Sequence, residues 1–496
     1  MNYSLISVEI LVALLGLGVL LADLWLPPER RRMLGWTAAA GVVVIFVIGL
    51  TDAAEATYAF TAPGAKTGMY VQDSLSVFFR QFFLLAAVLV LLMAVEYSGR
   101  FTSGISEFYS LILFALLGML FCASANDFVL MFVALELITI TFVVLNSFQR
   151  NRLASIEAGL KYLILGAVAS AFMVFGIALV FGTAGTTNFN EISLQQTALG
   201  MNPLFLVGMA MVLAGLGFKI AAVPFQVWAP DVYQGSPAPA TAFLAVGSKA
   251  AGMVLLLRVL FAAIPEIAAR WHHLLGVMAV LTILYGSLCA IPQRSIKRLM
   301  GYSSIANAGF LLLGVAAMSK AGATGILYYL AGYLFTVLAA FTVLCVILAR
   351  TESDDISCLS GLGKRSPLLA AALTMSMASL AGIPPMAGFI GKFLLLKSIV
   401  PLGATDPFYY GLLVVAVIGV VISIYYYFGL IRAVYWGGPA AEMTPLPTSW
   451  GVRGALAICI LGILWLGILP DTLMQISTPA VETLRPAGAA VVSVGR

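Results

Sequence analysis

The chain has 496 residues, of which 62% are hydrophobic and only 9% charged, with a formal net charge of +5. A soluble protein carries about 25% charged residues, so this composition excludes a soluble globular enzyme, and long apolar runs without polar alternation exclude an outer-membrane barrel. At about 20 apolar residues per crossing the apolar content corresponds to about 15 spans, and the expectation is a polytopic helical bundle with short loops.

The spans follow in chain order from apolar runs between charged, Pro or Gly punctuation. Runs at 4–26, 33–51 and 74–95 form an N-terminal group within 1–106. Runs at 107–123, 128–147, 158–181, 203–229 and 238–263 form a first five-span unit over 107–263, and those at 272–291, 299–318, 322–349, 367–400 and 409–435 a second over 272–435. A last run at 453–474 lies within the C-terminal segment 436–496. No Lys or Arg precedes Arg30, so the first run reads as a retained span and not as a cleavable signal peptide.

Two runs are irregular. The seventh holds Pro224 and leads into Pro230, Pro237 and Pro239, and the twelfth holds Gly382-Ile383-Pro384-Pro385 near its centre. Each is fourth in its five-span unit. Interrupted helices at corresponding places point to two inverted repeats, spans 4–8 and 9–13, as in transporters. The predicted fold is therefore an all-α polytopic membrane protein of about 14 spans, with one broken helix per repeat.

Basic residues test the count. Loops after odd-numbered spans carry fourteen, and loops and tail after even-numbered spans carry five, namely Lys66, Arg270, Lys320, Arg485 and Arg496. This positive-inside bias puts both termini on the outer, periplasm-like side. Seven cations remain inside the spans: Arg80, Lys161, Lys219, Lys249, Arg258, Lys392 and Lys397, with Glu136 the mid-span acid. A charge at the bilayer centre costs about 2.5–3.5 kcal/mol on insertion scales, so such residues are candidates for function.

Glu136, Lys219, Lys249 and Lys392 lie deepest and read as proton sites, because burial and a movable counter-charge can bring a lysine into its working range. The competing reading is structural pairing, or for Lys219 a charge capping broken backbone. Lys161 lies four residues after Glu157, the spacing of an ordinary helix-surface pair. Arg80, Arg258 and Lys397 read as snorkelling residues. His272-His273, beside Trp271, read as a membrane-surface anchor. The five cysteines are isolated and there is no C-x-x-C, G-x-G-x-x-G or P-loop. No iron–sulfur, haem, zinc, flavin or nucleotide site is expected in this chain, and the scattered basic residues argue against nucleic-acid binding.

Certain stretches carry a resemblance. They are EAGLKY at 157–162, FKIAAVPFQVWAPDVYQG at 218–235, IKRLMGYSSIA at 296–306 and LAGIPPMAGFIGKF at 380–393. Across spans 4–13 the sequence resembles the N-type antiporter-like membrane subunits of respiratory complex I, the proton-pumping NADH–quinone oxidoreductase. The resemblance implies proton translocation through buried half-channels, with Glu136 and Lys219 as a pair, Lys249 as central relay, Lys392 as the exit-side lysine and Lys161 as a flanking relay. It implies partners among the other membrane-arm subunits, with NADH, flavin, iron–sulfur clusters and quinone held in those partners, in a bacterial inner membrane or an organelle equivalent. Gln226, Gln234 and Asn307 stand where the family often has His, Glu and His. Lateral transfer between Lys249 and Lys392 is then expected to use internal water helped by Gln226, Asn307, Ser303 and Ser304. The alternatives are a cation/proton antiporter subunit of the same fold and a non-pumping structural spacer, the latter disfavoured by four costly buried charges.

Overall fold

A computed structural model describes residues 3–52, 55–61, 64, 66–351, 353–436 and 445–484. Arg485 and Arg496, counted above in the tail, lie outside the described residues. Among these, 13 helices are long and apolar enough to cross a membrane. They match the expected runs one for one apart from the twelfth, which is split into Pro367–Ala381 and Ala387–Gly403. The seventh helix, Pro203–Ile220, stops short of the expected 229, and a short helix Ala229–Gly235 follows the break. The sixth is longer than expected, at Leu153–Ala184.

Loop contacts confirm that the spans alternate. On one face the connections after even-numbered spans meet: Asn126 N–H donates to Met69 O at 2.8 Å and Phe189 N–H to Asn126 O at 3.0 Å. On the other face the connections after odd-numbered spans meet, with Ser295 bridging Asp355 and the Arg100 guanidinium donating to Leu348 and Ala349 carbonyls at 3.1 and 3.0 Å. A missed span would have mixed the two groups.

One local feature departs from the all-α expectation. Residues Thr57–Thr61 and Gly68–Gln72 pair as an antiparallel hairpin with Ala59 opposite Tyr70. It occupies the loop after the second span, where Thr57, Tyr58 and Phe60 supply β-favouring side chains.

The interior is graded. The most hydrophobic stretches of Ala238–Ala263, Ile296–Ala316 and Lys320–Leu348 are 100% buried, whereas that of Leu153–Ala184 is 28% buried and faces outward. The three enclosed helices form the axis of the molecule. Ile296–Ala316 packs most closely on His272–Ala290, where Gly286 and Gly309 lie against the facing backbone.

Two sequence expectations fail at the N-terminal side. Arg80 does not snorkel: it is 1% exposed and bonds Glu9 Oε2 at 2.9 Å, Asp52 Oδ2 at 2.8 Å and Leu5 O at 2.9 Å. Arg258 is likewise buried, in a fork to Asp73 Oδ1 and Oδ2 at 2.8 and 3.1 Å and in bonds to the Ala123 carbonyl. Their partners lie on distant segments, which removes the need to reach the interface. Lys397 is exposed, as snorkelling requires.

Candidate functional site

Both broken helices are built in the same way. The first ends at Ile220, with Ala221 in the left-handed region at φ 58°; the second ends at Ala381, with Gly382 at φ 83°. In each, a proline follows three residues later, Pro224 and Pro385. A left-handed residue ends the helix, and the proline that follows cannot continue it. Each break frees carbonyls in the helix's last turn. At the first break Trp228 Nε1–H donates to Phe218 O at 3.0 Å, and at the second Lys392 Nζ donates to Leu380 O at 2.7 Å. The half-helix starting at Ala387 passes so close that a Cβ on Gly388 would lie 1.9 Å from Ser379 O.

Lys219 lies in the last turn before the first break, where the negative end of the helix dipole favours a cation. Its ammonium donates to Thr139 Oγ1 and lies 5.8 Å from the Tyr162 ring centre. Thr139 is three residues from Glu136 on the same helix, so both face Lys219. Glu136 accepts from the Ser170 hydroxyl instead of closing directly on Lys219, and it remains within electrostatic range of that lysine. The expected Glu136–Lys219 pair is thus an indirect one, joined through Thr139's helix.

Lys249 follows a π-helical turn, Leu244–Ser248, and precedes a second, Arg258–Ala263. Such wide turns often occur at functional positions. Lys219 and Lys249 belong to packed helices: a Cβ on Gly252, one turn beyond Lys249, would lie 3.1 Å from Lys219 Cβ. The Lys249 ammonium donates to both the carbonyl and the hydroxyl of Ser304, and among the described residues no acid pairs with it. Ser304 Oγ also pairs with Tyr233 OH at 2.9 Å and accepts from Tyr333 OH at 3.1 Å.

From Ser304 the polar file continues toward the second break. Tyr333 and Tyr329 stand 6.1 Å apart with near-parallel rings, and Tyr329 OH donates to Asn307 Oδ1 at 2.8 Å. Tyr329 presses on Gly391, the neighbour of Lys392, whose ammonium lies 4.9 Å from the Phe310 ring centre. Lys219, Lys249 and Lys392 are 5%, 3% and 3% exposed. The gap between Lys249 and Lys392 is therefore lined by hydroxyls and an amide. Of the four residues expected to help here, Ser304 bonds Lys249 and Asn307 bonds Tyr329. Ser303 bonds Tyr427, whose hydroxyl also meets Asn307, and Gln226 lies beside Tyr285.

Lys161 stands apart from these lysines. It is partly exposed at the face of the odd-numbered loops, 2.6 Å from Glu157 and 2.5 Å from Asp231, which also bonds Arg298 at 2.5 Å. These residues line a polar cleft of about 390 Å³. Burial pushes the Asp231 carboxyl up, but hydrogen bonds from Lys161 and Arg298 outweigh it and hold the group below the usual carboxylate range.

Sequence reasoning missed Lys297. Counted above as a loop charge, it is buried and donates to Ser236 O at 2.6 Å, beside the start of the helix that carries Lys249. The signal was its place at the edge of an apolar run, which also fits a solvated helix start. Tyr329 and Tyr333 were missed too, because aromatic residues on a fully enclosed helix look like packing.

Residues 125–423 match the family described as NADH:quinone oxidoreductase/Mrp antiporter, transmembrane. The chain is 41% identical over 484 residues to NADH-quinone oxidoreductase subunit N of Moorella thermoacetica, covering 97% of this chain and 99% of that protein. It is similar to a chain of respiratory complex I from Thermus thermophilus, with a TM-score of 0.78 and 34% identity, covering 94% of this chain and 98% of that one. It shares its fold with a chain of the Mrp complex from a Dietzia species, with a TM-score of 0.78 at 20% identity over 98% of each chain.

Proposed function

This chain belongs to the NADH:quinone oxidoreductase/Mrp antiporter transmembrane family, and from that premise we propose that it is the N-type proton-translocating membrane subunit of an NADH–quinone oxidoreductase. The observation that carries the reading is the set of three buried lysines, Lys219, Lys249 and Lys392, held by neutral oxygens and aromatic faces without a direct acid partner. A lysine held this way can give up its proton, whereas one locked to a carboxylate keeps it.

Glu136 modulates Lys219 from a neighbouring turn. A shift of Glu136 toward or away from Lys219 loads or unloads that ammonium. Lys249 passes its proton through the Ser304 hydroxyl, and Tyr333, Tyr329 and Asn307 lead on to Lys392, since hydroxyls both donate and accept. The Asn307 amide nitrogen is buried without a protein acceptor, a donor that internal water can satisfy. Lys161 and Asp231 stand at the mouth. The units 107–263 and 272–435 act as the two inverted repeats. The similar break geometry at Ala221 and Gly382 supports this division.

The chain acts as a non-redox subunit of the translocase, with NADH, flavin, iron–sulfur clusters and quinone held by partner subunits. Its residence is a bacterial plasma membrane with both termini outside, the orientation the loop charges favour. An antiporter subunit of the same fold is the weaker reading, because the relative at 41% identity named above is an oxidoreductase subunit and the Mrp likeness extends to fold alone.

The test is Lys219→Ala in the assembled complex. Proton pumping is expected to fall about a hundredfold, the scale of removing a positioned proton-transfer group, with the complex still assembled. Undiminished pumping would overturn the site.

A further inference from the structure

The chain has two histidines, His272 and His273, and the sequence makes them a surface anchor. The structure adds a third group. Asp406, from the loop between Ala387–Gly403 and Phe408–Trp436, places Oδ2 2.7 Å from His273 Nε2 and 4.0 Å from His272 Nε2. One ligand atom from each of the three residues lies within 4.8 Å of the others.

The groups are oriented before any ion arrives. His272 Nδ1 lies 2.7 Å from the Ala269 carbonyl. A carbonyl only accepts, so Nδ1 carries a hydrogen, and in the neutral ring that leaves the lone pair on Nε2, the nitrogen 4.0 Å from Asp406 Oδ2. His272 stacks on Tyr409, and His273 meets the edge of Phe408 at 4.6 Å. Asp406 Oδ1 accepts from Phe408 N–H at 3.0 Å, which leaves Oδ2 for the histidines.

We propose that His272, His273 and Asp406 form a binding site for a divalent transition cation of the Zn²⁺ class. Two imidazole nitrogens and one carboxylate oxygen suit that class, and the remaining position goes to water. Zn–N and Zn–O bonds of about 2.0–2.2 Å in a tetrahedron separate the ligand atoms by about 3.3–3.5 Å. The 2.7 Å contact has to open and the 4.0 Å contact to close, each by about 0.6 Å, the two imidazole nitrogens have to close from within 4.8 Å, and His273 Nε2 gives up its hydrogen to its own Nδ1 or to solvent as the ion binds. A simple His–Asp ion pair needs only His273. A second imidazole nitrogen within 4.0 Å of the same oxygen is the feature that a three-ligand site adds. A bound ion ties the first helix of the second five-span unit to the end of the half-helix that carries Lys392.

The test exploits the histidine count. The assembled complex is treated with diethylpyrocarbonate with and without Zn²⁺, and modification is read on this chain by mass spectrometry. Zn²⁺ is expected to protect both histidines, chelation to restore their reactivity, and Mg²⁺ to protect neither. Asp406→Asn is expected to raise the Zn²⁺ needed for protection at least tenfold, and His272→Ala to abolish protection of His273. Equal labelling with and without Zn²⁺ in the unaltered complex overturns the proposal whether or not the variants assemble. So does protection by Mg²⁺ as strong as that by Zn²⁺.

Discussion

The N-terminal wall and the central file both bury cations, and they do so in opposite ways. In the wall, Arg80 bonds Glu9, Asp52 and Tyr70, and Arg258 forks onto Asp73, the residue that also caps the third span. These are permanent charges matched by acids, and arginine does not deprotonate in proteins. In the file, among the described residues, Lys249 and Lys392 bond a serine and backbone carbonyls and no acid. A matched arginine fixes helices in place. An unmatched lysine costs more while charged and so has a ready neutral state. Residue type and partner together separate a structural charge from a mobile one.

The wall yields the largest expected effect. Arg80→Ala leaves the buried Glu9 and the partly exposed Asp52 without their cation, and breaking the buried Glu9 pair costs about 3–5 kcal/mol. The chain is expected to drop out of the assembled complex, measured as the amount recovered with its partners. Normal recovery and melting would show that the wall is not held by this network.

Lys249→Arg sharpens the contrast from the other side. Arginine keeps the charge and the hydrogen-bonding capacity but cannot release a proton. Pumping is expected to fall about a hundredfold while the complex still assembles. If the arginine variant pumps normally, Lys249 is a permanent charge like those of the wall and the comparison collapses.

These two residues also show what could be read from the chain beforehand. Lys249 was legible because an apolar run surrounds it on both sides and no interface is within reach. Arg80 was misread because Glu9, Asp52 and Tyr70 approach it from three other segments, and no local pattern announces such a meeting. The helix count was legible because apolar content and length alone define a span. The exact ends of the seventh helix were not, since the left-handed Ala221 is a residue type that rarely marks a helix end. Lys297 was hidden by its position at the edge of a span, and the Tyr333–Tyr329–Asn307 line by residue types that mostly pack. The His272, His273 and Asp406 cluster joins residues more than 130 positions apart in sequence, beyond the reach of any spacing rule.

A smaller effect tests the link between the two lysines of the file. Tyr329→Phe removes the hydroxyl that donates to Asn307 at 2.8 Å and leaves the buried Asn307 Oδ1 without that donor. A lost buried hydrogen bond is worth about 1–3 kcal/mol, and pumping is expected to fall several-fold with a larger solvent isotope effect. Unchanged pumping would take Tyr329 out of the path and leave it as packing against Gly391.

The smallest effect lies at the mouth, where the two charge arrangements meet. Asp231 is 29% exposed and bridges Lys161 and Arg298, so it is a matched charge like those of the wall but wet like the entrance of the file. Its carboxyl is held below the ordinary range, and the unfolded chain therefore binds the proton first as pH falls. The stabilisation it supplies is fully present above the ordinary aspartate value of about 3.9 and is lost as pH falls through the lower folded value. Solvent screening limits the contribution to about 1 kcal/mol or less. Asp231→Asn is expected to melt slightly earlier than the unaltered complex at neutral pH, with the two curves converging in acid and at high salt. A difference that persists unchanged in acid would show that Asp231 acts through packing and not through its charge.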